Sequence, residues 1–204
     1  MIKTVLDGIM RRIIDPPLDR IAAGLARAGV SANQLTWVGF AVGLAAAPAL
    51  AYERYPIGLL LILTNRLLDG LDGPVARHTA PTDVGAYLDI VCDFIFYSAV
   101  GFGFALARPE NAAPAAFLIF SFVGTGSTFL AYAAIAAKRG ITTSARGQKA
   151  IYYMGGLTEG TETVLAFVLF CLFPARFPIL ATVFGLLCWT TTAFRMAFAC
   201  RTLR

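Results

Sequence analysis

Residues 69–93 read DGLDGPVARHTAPTDVGAYLDIVCD, and they concentrate acidic side chains in an otherwise apolar chain. Of 204 residues 58% are hydrophobic and only 12 are acidic, yet five of these acids lie in this stretch. Asp69 and Asp72 are three residues apart, so they share one face of a helix. Asp89 and Asp93 are four apart and also share a face. A short turn joins the two helices, so we expect the four carboxylates at one place.

The rest of the chain is dominated by long apolar runs, and the mean hydropathy is +0.71. Each run has about 20 residues or more, enough to cross a hydrocarbon core of ~30 Å. The sequence therefore predicts an all-α membrane protein, with one transmembrane domain over residues 30–204. The six predicted spans cover residues 33–52, 56–77, 85–107, 112–137, 150–173 and 176–199.

Basic residues indicate the orientation of these spans. With a cytoplasmic N-terminus, 12 of the 17 Lys and Arg residues fall on the cytoplasmic side. This asymmetry predicts that both termini and the acidic stretch are cytoplasmic. The net charge of +5 suits anionic lipid headgroups, and no nucleic-acid motif is present. We expect an integral protein of a prokaryotic inner membrane.

Residues 1–29 form a separate unit before the first span. Apolar residues recur at helical spacing, interrupted by basic residues and by Pro16 and Pro17. This pattern predicts an amphipathic helix in the cytoplasmic interface, and the alternative is a helix that packs against the bundle. We do not expect a signal peptide here, because charges interrupt every candidate apolar core.

The remaining reactive side chains show no pattern of their own. His78 lies at the membrane edge, where a lone histidine is more often structural than a ligand. The cysteines have no metal-ligand or redox spacing, and we expect small buried side chains at Cys92, Cys171, Cys188 and Cys200.

Four clustered carboxylates at membrane depth must be neutralised, because like charges repel and buried charges are costly. Protons, basic partners or divalent cations could do this. An all-oxygen site without His or Cys favours Mg²⁺, Mn²⁺ or Ca²⁺ over zinc. Four carboxylates suit a pair of ions, which in two-metal enzymes clamp a phosphoryl group.

Small residues surround the acids, at Gly70, Gly73, Ala76 and Gly85. They would let a bulky ligand approach the backbone, although small residues also serve tight helix packing in membranes. Arg77 could bind a phosphate or extend to the interface. Asp83 is interpreted as a turn or N-cap residue of the third span.

The stretch resembles the signature of the CDP-alcohol phosphatidyltransferase family. The matching residues, in order, are Asp69, Asp72, Gly73, Ala76, Arg77, Gly85, Asp89 and Asp93. Seven residues, 78–84, separate the arginine from the next glycine where the family commonly has eight, so we expect a tighter turn. A looser match is SANQLTWVG at 31–39, which keeps Asn33 and Thr36 but has Ala32 in place of a proline.

The resemblance implies a metal-dependent phosphatidyl transfer in phospholipid synthesis. A CDP-linked lipid such as CDP-diacylglycerol would donate its substituted phosphate to an acceptor hydroxyl, and CMP would leave. Two divalent cations, Mg²⁺ or Mn²⁺, would be held by Asp69, Asp72, Asp89 and Asp93, and Asp93 would also be the general base. The nucleotide and diphosphate would contact Asn33, Thr36, Gly73, Ala76, Arg77 and Gly85. Homodimerisation is implied as well.

The acceptor is less sharply indicated. Arg146 and Lys149 lie in a basic loop that could bind an acceptor phosphate, or could be ordinary cytoplasmic charge. Glu159 and Glu162 lie three apart at the start of the fifth span, where they could receive a hydroxyl or an amine, or pair with Arg195. The sequence therefore leaves a small polar or lipid alcohol as the acceptor.

A cation- or proton-coupled transporter is the alternative function, since buried acids can carry ions. Transporters usually show internal repeats with helices broken at mid-membrane. No repeat relates the two halves of this chain, and the acids lie near a membrane edge, so the enzyme reading is favoured.

Overall fold

A computed structural model describes residues 5–140 and 158–203, with side chains from residue 16 onward. Every secondary-structure element in the described part of the chain is a helix, as the sequence predicts. The eight α-helices are α1 (Val5–Arg27), α2 (Ala32–Leu44), α3 (Ala46–Ala51), α4 (Tyr55–His78), α5 (Asp83–Ala107), α6 (Ala112–Lys138), α7 (Gly160–Leu172) and α8 (Phe177–Thr202).

Among the described residues, four segments are long and apolar enough to cross a membrane, at residues 32–51, 83–107, 109–138 and 174–202. The chain is therefore an integral membrane protein. Helix α4 is not among them because charged residues interrupt its apolar surface. Helix α7 has 13 described residues, about 20 Å at 1.5 Å per residue, and so is short of a ~30 Å core.

Helices α2 and α3 together form the first predicted span, with a short break at Ala45. Pro48 cannot donate a backbone hydrogen bond to the carbonyl four residues earlier, which accounts for a break at this level. The start of α2 is fixed by a capping box, in which Ser31 Oγ accepts from the Gln34 backbone and Gln34 Oε1 accepts from the Ser31 backbone.

Helices α4 and α5 form the antiparallel hairpin that carries the acidic stretch. Thr82 caps α5, since its hydroxyl accepts a hydrogen bond from the Gly85 backbone at 3.0 Å. Asp83 is thus the first residue of the helix and not its N-cap, and its charge favours the positive end of the helix dipole.

Helix α1 packs against α4 through its C-terminal half. Ala22 is fully buried in a cluster with Leu71 and Val75 of α4. Pro16 and Pro17 lie inside this helix, where they cannot donate hydrogen bonds to the carbonyls four residues earlier. The packing alternative for this segment is thus observed, while an interfacial position stays a prediction.

Aromatic side chains fill the core between α5, α7 and α8. Phe104 and Phe177 stack with ring centroids 4.3 Å apart, and Phe170 meets Phe177 edge to face. Phe104 lies about three turns along α5 from Asp93. The same core continues along α5 to Phe96 and Tyr97 beside the acids, and it fixes α5 against α7 and α8. Cys92, Cys171 and Cys188 are buried as expected, but Cys200 is exposed on the outer face of α8.

An exposed ion pair closes the end of the hairpin opposite the acids. Arg108, just after α5, donates from Nε to Glu53 Oε2 at 3.0 Å. This hydrogen bond holds the pKa of Glu53 below its ordinary value. Glu53 itself has a φ of +57°, which marks the tight turn between α3 and α4.

Candidate active site

Three of the four predicted acids meet between α4 and α5. Asp69 extends from α4, and Asp89 and Asp93 extend from neighbouring turns of α5. One carboxylate oxygen from each lies within 4.8 Å of the other two. Helix α2 packs against both α4 and α5, and this arrangement brings one acid of α4 to two acids of α5.

Asp72 lies beside this group and is held by a different helix. Its Oδ2 accepts a hydrogen bond of 2.8 Å from the Thr36 hydroxyl of α2. Asp72 is buried, and it remains close enough to interact electrostatically with Asp89 and Asp93. Thr36, expected at the nucleotide, thus contacts an acid of the site directly.

Arg66 is a site residue that the sequence reasoning missed. Its guanidinium donates from Nη2 to Asp93 Oδ1 at 2.7 Å and from Nη1 to Asp69 Oδ2 at 3.4 Å. The Tyr97 hydroxyl donates to the other Asp93 oxygen, Oδ2, at 3.1 Å. Helical spacing could have found both residues, because Arg66 precedes Asp69 by three and Tyr97 follows Asp93 by four.

A narrow cleft opens beside these groups, between α2, α4 and α5. Its walls include Phe40 and Gly39 from α2 and Cys92 from α5. Asp69 and Asp93 line the same cleft, so their carboxylates border a space for about one water molecule.

The donor set fits a divalent cation. Three carboxylate oxygens within 4.8 Å offer hard ligands of the kind that Mg²⁺ and Mn²⁺ take, and no thiolate or imidazole belongs to this group. Each carboxylate has about four acceptor positions, so the bonds to Asp93 leave positions for an ion or a proton. A cation held by these carboxylates would stabilise negative charge on phosphate oxygens, and a carboxylate of the group can accept a proton.

The small residues differ in their surroundings. A Cβ built on Gly73 meets no heavy atom within 4 Å beyond its immediate neighbours, so open space adjoins this glycine. A Cβ on Gly85 would lie 2.9 Å from Asn33 Oδ1, so this glycine lets α5 approach α2. Ala76 is half-buried on α4.

Arg77 and His78 face α1 at the C-terminal end of α4. Arg77 Nη2 lies 3.6 Å from Asp19 Oδ1, and His78 Nε2 lies 3.2 Å from the same oxygen. The Arg77 side chain is 63% exposed. It is therefore free to reorient toward a ligand without leaving a buried partner.

Two of the expected acceptor residues, Arg146 and Lys149, lie outside the described residues. The other two lie at the start of α7, where Glu159 is the N-cap residue and Glu162 is in the first turn. Glu162 Oε2 accepts from the Glu159 backbone at 3.0 Å, and the Glu159 side chain accepts from the Glu162 backbone in return. This capping box accounts for two acids at the beginning of an apolar helix.

Comparison with known proteins confirms the resemblance. A sequence model described as CDP-alcohol phosphatidyltransferase matches residues 29–197. The chain is 51% identical over 193 residues to the inner membrane protein YnjF of Escherichia coli, covering 94% of each protein. It is 33% identical over 98 residues to an archaetidylinositol phosphate synthase of Pyrococcus horikoshii, covering 48% of this chain and 52% of that protein.

Solved structures of a phosphatidylinositol phosphate synthase, PgsA1 of Mycobacterium tuberculosis, share the fold. The form with CDP-DAG bound has a TM-score of 0.64 and 22% identity, covering 88% of this chain and 92% of that chain. The complex with manganese and citrate has a TM-score of 0.69 and 21% identity, covering 88% and 87%.

Proposed function

The chain belongs to the CDP-alcohol phosphatidyltransferase family, and from that membership we propose that it transfers the substituted phosphate of a CDP-linked lipid, such as CDP-diacylglycerol, to an acceptor hydroxyl. CMP is the other product. The observation that carries this proposal is the meeting of Asp69, Asp89 and Asp93 within 4.8 Å at the family signature. The M. tuberculosis relative that binds CDP-DAG supports the donor.

Two divalent cations, Mg²⁺ or Mn²⁺, are proposed as cofactors. Their ligands would be Asp69, Asp72, Asp89 and Asp93, and the manganese complex of the M. tuberculosis relative supports this assignment. Such ions stabilise the charge that develops on the diphosphate during transfer.

Asp93 is the proposed general base. It takes the proton of the acceptor hydroxyl while that oxygen forms a bond to the phosphorus that carries the lipid. The bond between this phosphorus and the bridging oxygen breaks, and CMP leaves with the electron pair. The bonds from Arg66 and Tyr97 fix the direction in which Asp93 points, so the carboxylate needs little reorganisation.

The CDP-lipid is proposed to lie against α2 and against the end of the hairpin where the turn joins α4 to α5. Gly73 offers open space for the cytidine. Ala76 and Gly85 are the other small residues of the proposed nucleotide site. Asn33 and Thr36 come from α2, and the exposed Arg77 can reach a phosphate. Thr36 would act in part through its bond to Asp72.

The acceptor is proposed to be a small polar or lipid alcohol that enters from the cytoplasmic side. Arg146 and Lys149 would bind its phosphate if it carries one, and Glu159 and Glu162 would receive its hydroxyls. The name of the P. horikoshii relative places inositol phosphate among the acceptors to be tried first.

The proposed topology has six crossings in residues 30–204, with α4 and α7 added to the four apolar segments. Residues 1–29 would lie in the cytoplasmic interface, and both termini and the site would face the cytoplasm. A location in the inner membrane is proposed, in keeping with the inner membrane relative of E. coli. A homodimer is proposed as well, as the family resemblance implies.

Release of CMP tests the reaction. The purified chain would receive CDP-diacylglycerol, Mg²⁺ or Mn²⁺, and in turn glycerol 3-phosphate, inositol, inositol phosphate, serine or a second phospholipid. We expect release with one acceptor, loss with a chelator, and loss in Asp93→Asn. Cation transport by the chain in liposomes, with no CMP from any acceptor, would instead support the transporter alternative.

A further inference from the structure

A buried arginine contacts two acids of the site. Arg66 occupies the middle of α4, and its side chain is only 12% exposed. A permanently charged group at this depth is costly unless it is paired. Its contacts therefore indicate why it is tolerated.

Three helices fix the orientation of the Arg66 guanidinium. Its Nε donates to Asn65 Oδ1 at 2.7 Å, and Asn65 Nδ2 donates to the Gly39 carbonyl of α2 at 2.8 Å. The group lies over the rings of Phe96 and Tyr97, at 4.6 and 5.4 Å from their centroids. Asn65 is itself buried, so this support cannot relax easily.

The guanidinium and a bound cation would share the same carboxylates. Arg66 contacts one oxygen of Asp93 and one of Asp69, and both residues belong to the group of acids that could hold an ion. Two positive groups on shared ligands repel one another. Arg66 must therefore oppose the binding of an ion while it keeps the carboxylates in place.

We propose that Arg66 is the fixed counter-ion of this acid cluster, a positioning residue that aims Asp93 and lowers the affinity of the cluster for a free divalent cation. The inference rests on the proposed function for the role of Asp93. Its effect on cation affinity does not require turnover, so the two claims can fail separately.

This role predicts opposite effects from one substitution. In Arg66→Gln the positive charge is lost, and we expect the dissociation constant for Mn²⁺ to fall by about tenfold, because even screened charges at this range shift an equilibrium that much. Asp93 is no longer aimed, so we expect kcat for CMP release to fall by about 10- to 100-fold. A merely structural arginine would weaken both properties together.

Arg66→Lys separates charge from geometry. Lysine keeps the positive charge but lacks the planar fork that reaches both carboxylates. We expect Mn²⁺ affinity within about twofold of the unsubstituted protein and a kcat between those of the unsubstituted protein and Arg66→Gln.

Arg108→Gln is the matched control for net charge. Arg108 follows the far end of α5, roughly 20 Å from Asp93 at about 1.5 Å per residue. It pairs with Glu53 at an exposed position. We expect its loss to change neither Mn²⁺ affinity nor kcat.

The experiment titrates each purified full-length variant with Mn²⁺ without lipid, following the free-ion signal by electron paramagnetic resonance, and then measures kcat. Monodispersity and thermal unfolding are checked first.

Unchanged or weaker Mn²⁺ binding in Arg66→Gln would overturn the counter-ion role. If that variant does not fold, a kcat for Arg66→Lys equal to that of the unsubstituted protein would overturn the positioning role. If the unsubstituted protein releases no CMP, the proposed function fails while the Mn²⁺ comparison still tests Arg66.

Discussion

At the scale of single residues, Asp93 accepts hydrogen bonds on both carboxylate oxygens. Arg66 bonds one oxygen and Tyr97 bonds the other. In Asp93→Asn the amide group cannot accept a proton, and its NH₂ would face a donor. We expect CMP release to fall by about 10²- to 10⁴-fold, the usual contribution of a general base. Asp83→Asn, at the exposed first residue of α5, is the control and should retain activity. Equal rates in both variants would exclude Asp93 as the base.

Tyr97→Phe isolates the second bond to Asp93. The substitution removes the hydroxyl donor but keeps the ring, which packs edge to face with Phe167. A hydrogen bond to a charged group contributes about 1.5–3 kcal/mol. We therefore expect kcat to fall by roughly tenfold or more, with a KM for CDP-diacylglycerol close to that of the unsubstituted protein. A change confined to KM would show that the hydroxyl acts on lipid binding instead.

The acids could be predicted from the sequence, whereas their partners could not. Spacing fixes which residues share a face of one helix, and this suffices to pair Asp69 with Asp72. It does not show which groups of another helix face them. Thr36 is 36 residues from Asp72, and Arg66 is 27 residues from Asp93. These contacts follow from how α2 packs on α4 and on α5, which local spacing does not encode.

At the scale of helices, two glycines of the α2–α4–α5 layer have opposite surroundings. A Cβ on Gly43 would lie 2.7 Å from both Asn65 Nδ2 and Phe96 Cδ2, whereas one on Gly73 meets open space. We expect Gly43→Ala to lower stability by about 1–3 kcal/mol, as overpacking does. Gly73→Ala should leave the melting temperature unchanged and raise KM for CDP-diacylglycerol, because the added methyl group would enter the proposed cytidine space. Thermal unfolding and steady-state kinetics on both variants measure this contrast.

The opposite results for the two variants would contradict the surroundings described for Gly43 and Gly73. If Gly73→Ala melts early and Gly43→Ala does not, the packing of these helices differs from the one described. A Gly73→Ala variant with an unchanged KM would remove that glycine from the nucleotide site.

The helices of the hairpin and α6 were well predicted from the sequence. The expected 85–107 and 112–137 compare with α5 at Asp83–Ala107 and α6 at Ala112–Lys138. The start of α7 was less well predicted, since Glu159 is the N-cap of that helix and Glu162 lies in its first turn, where the two acids form a capping box. Acidic residues at a helix start satisfy backbone donors, and a hydropathy pattern alone does not distinguish this role from a binding site.

At the scale of the whole molecule, the proposed six-crossing topology would place the two ends of α5 on opposite sides of the membrane. Single cysteines would be introduced at Ala80 and at Glu110 after replacing the natural cysteines. Both positions are exposed in the structure. We expect a membrane-impermeant maleimide to label Glu110→Cys in intact cells and to label Ala80→Cys only after permeabilisation. Labelling of Ala80→Cys in intact cells would invert the proposed orientation.

The sequence sufficed to predict a membrane protein, because mean hydropathy depends on composition and not on which residues contact one another. Four apolar segments suffice to show a membrane protein. Hydropathy alone does not give the number of crossings, since charged residues of the site interrupt the apolar pattern of α4. A functional helix departs from the apolar pattern at the positions where it binds its ligands.

The central claim is that the acids of α4 and α5 hold the metal ions of the reaction. Anomalous X-ray diffraction at the manganese edge, from crystals grown with Mn²⁺ and CDP-diacylglycerol, locates such ions directly. We predict two peaks about 3.5–4 Å apart, in contact with the carboxylates of Asp69, Asp72, Asp89 and Asp93. Manganese bound elsewhere, with no peak among these carboxylates, would contradict the account.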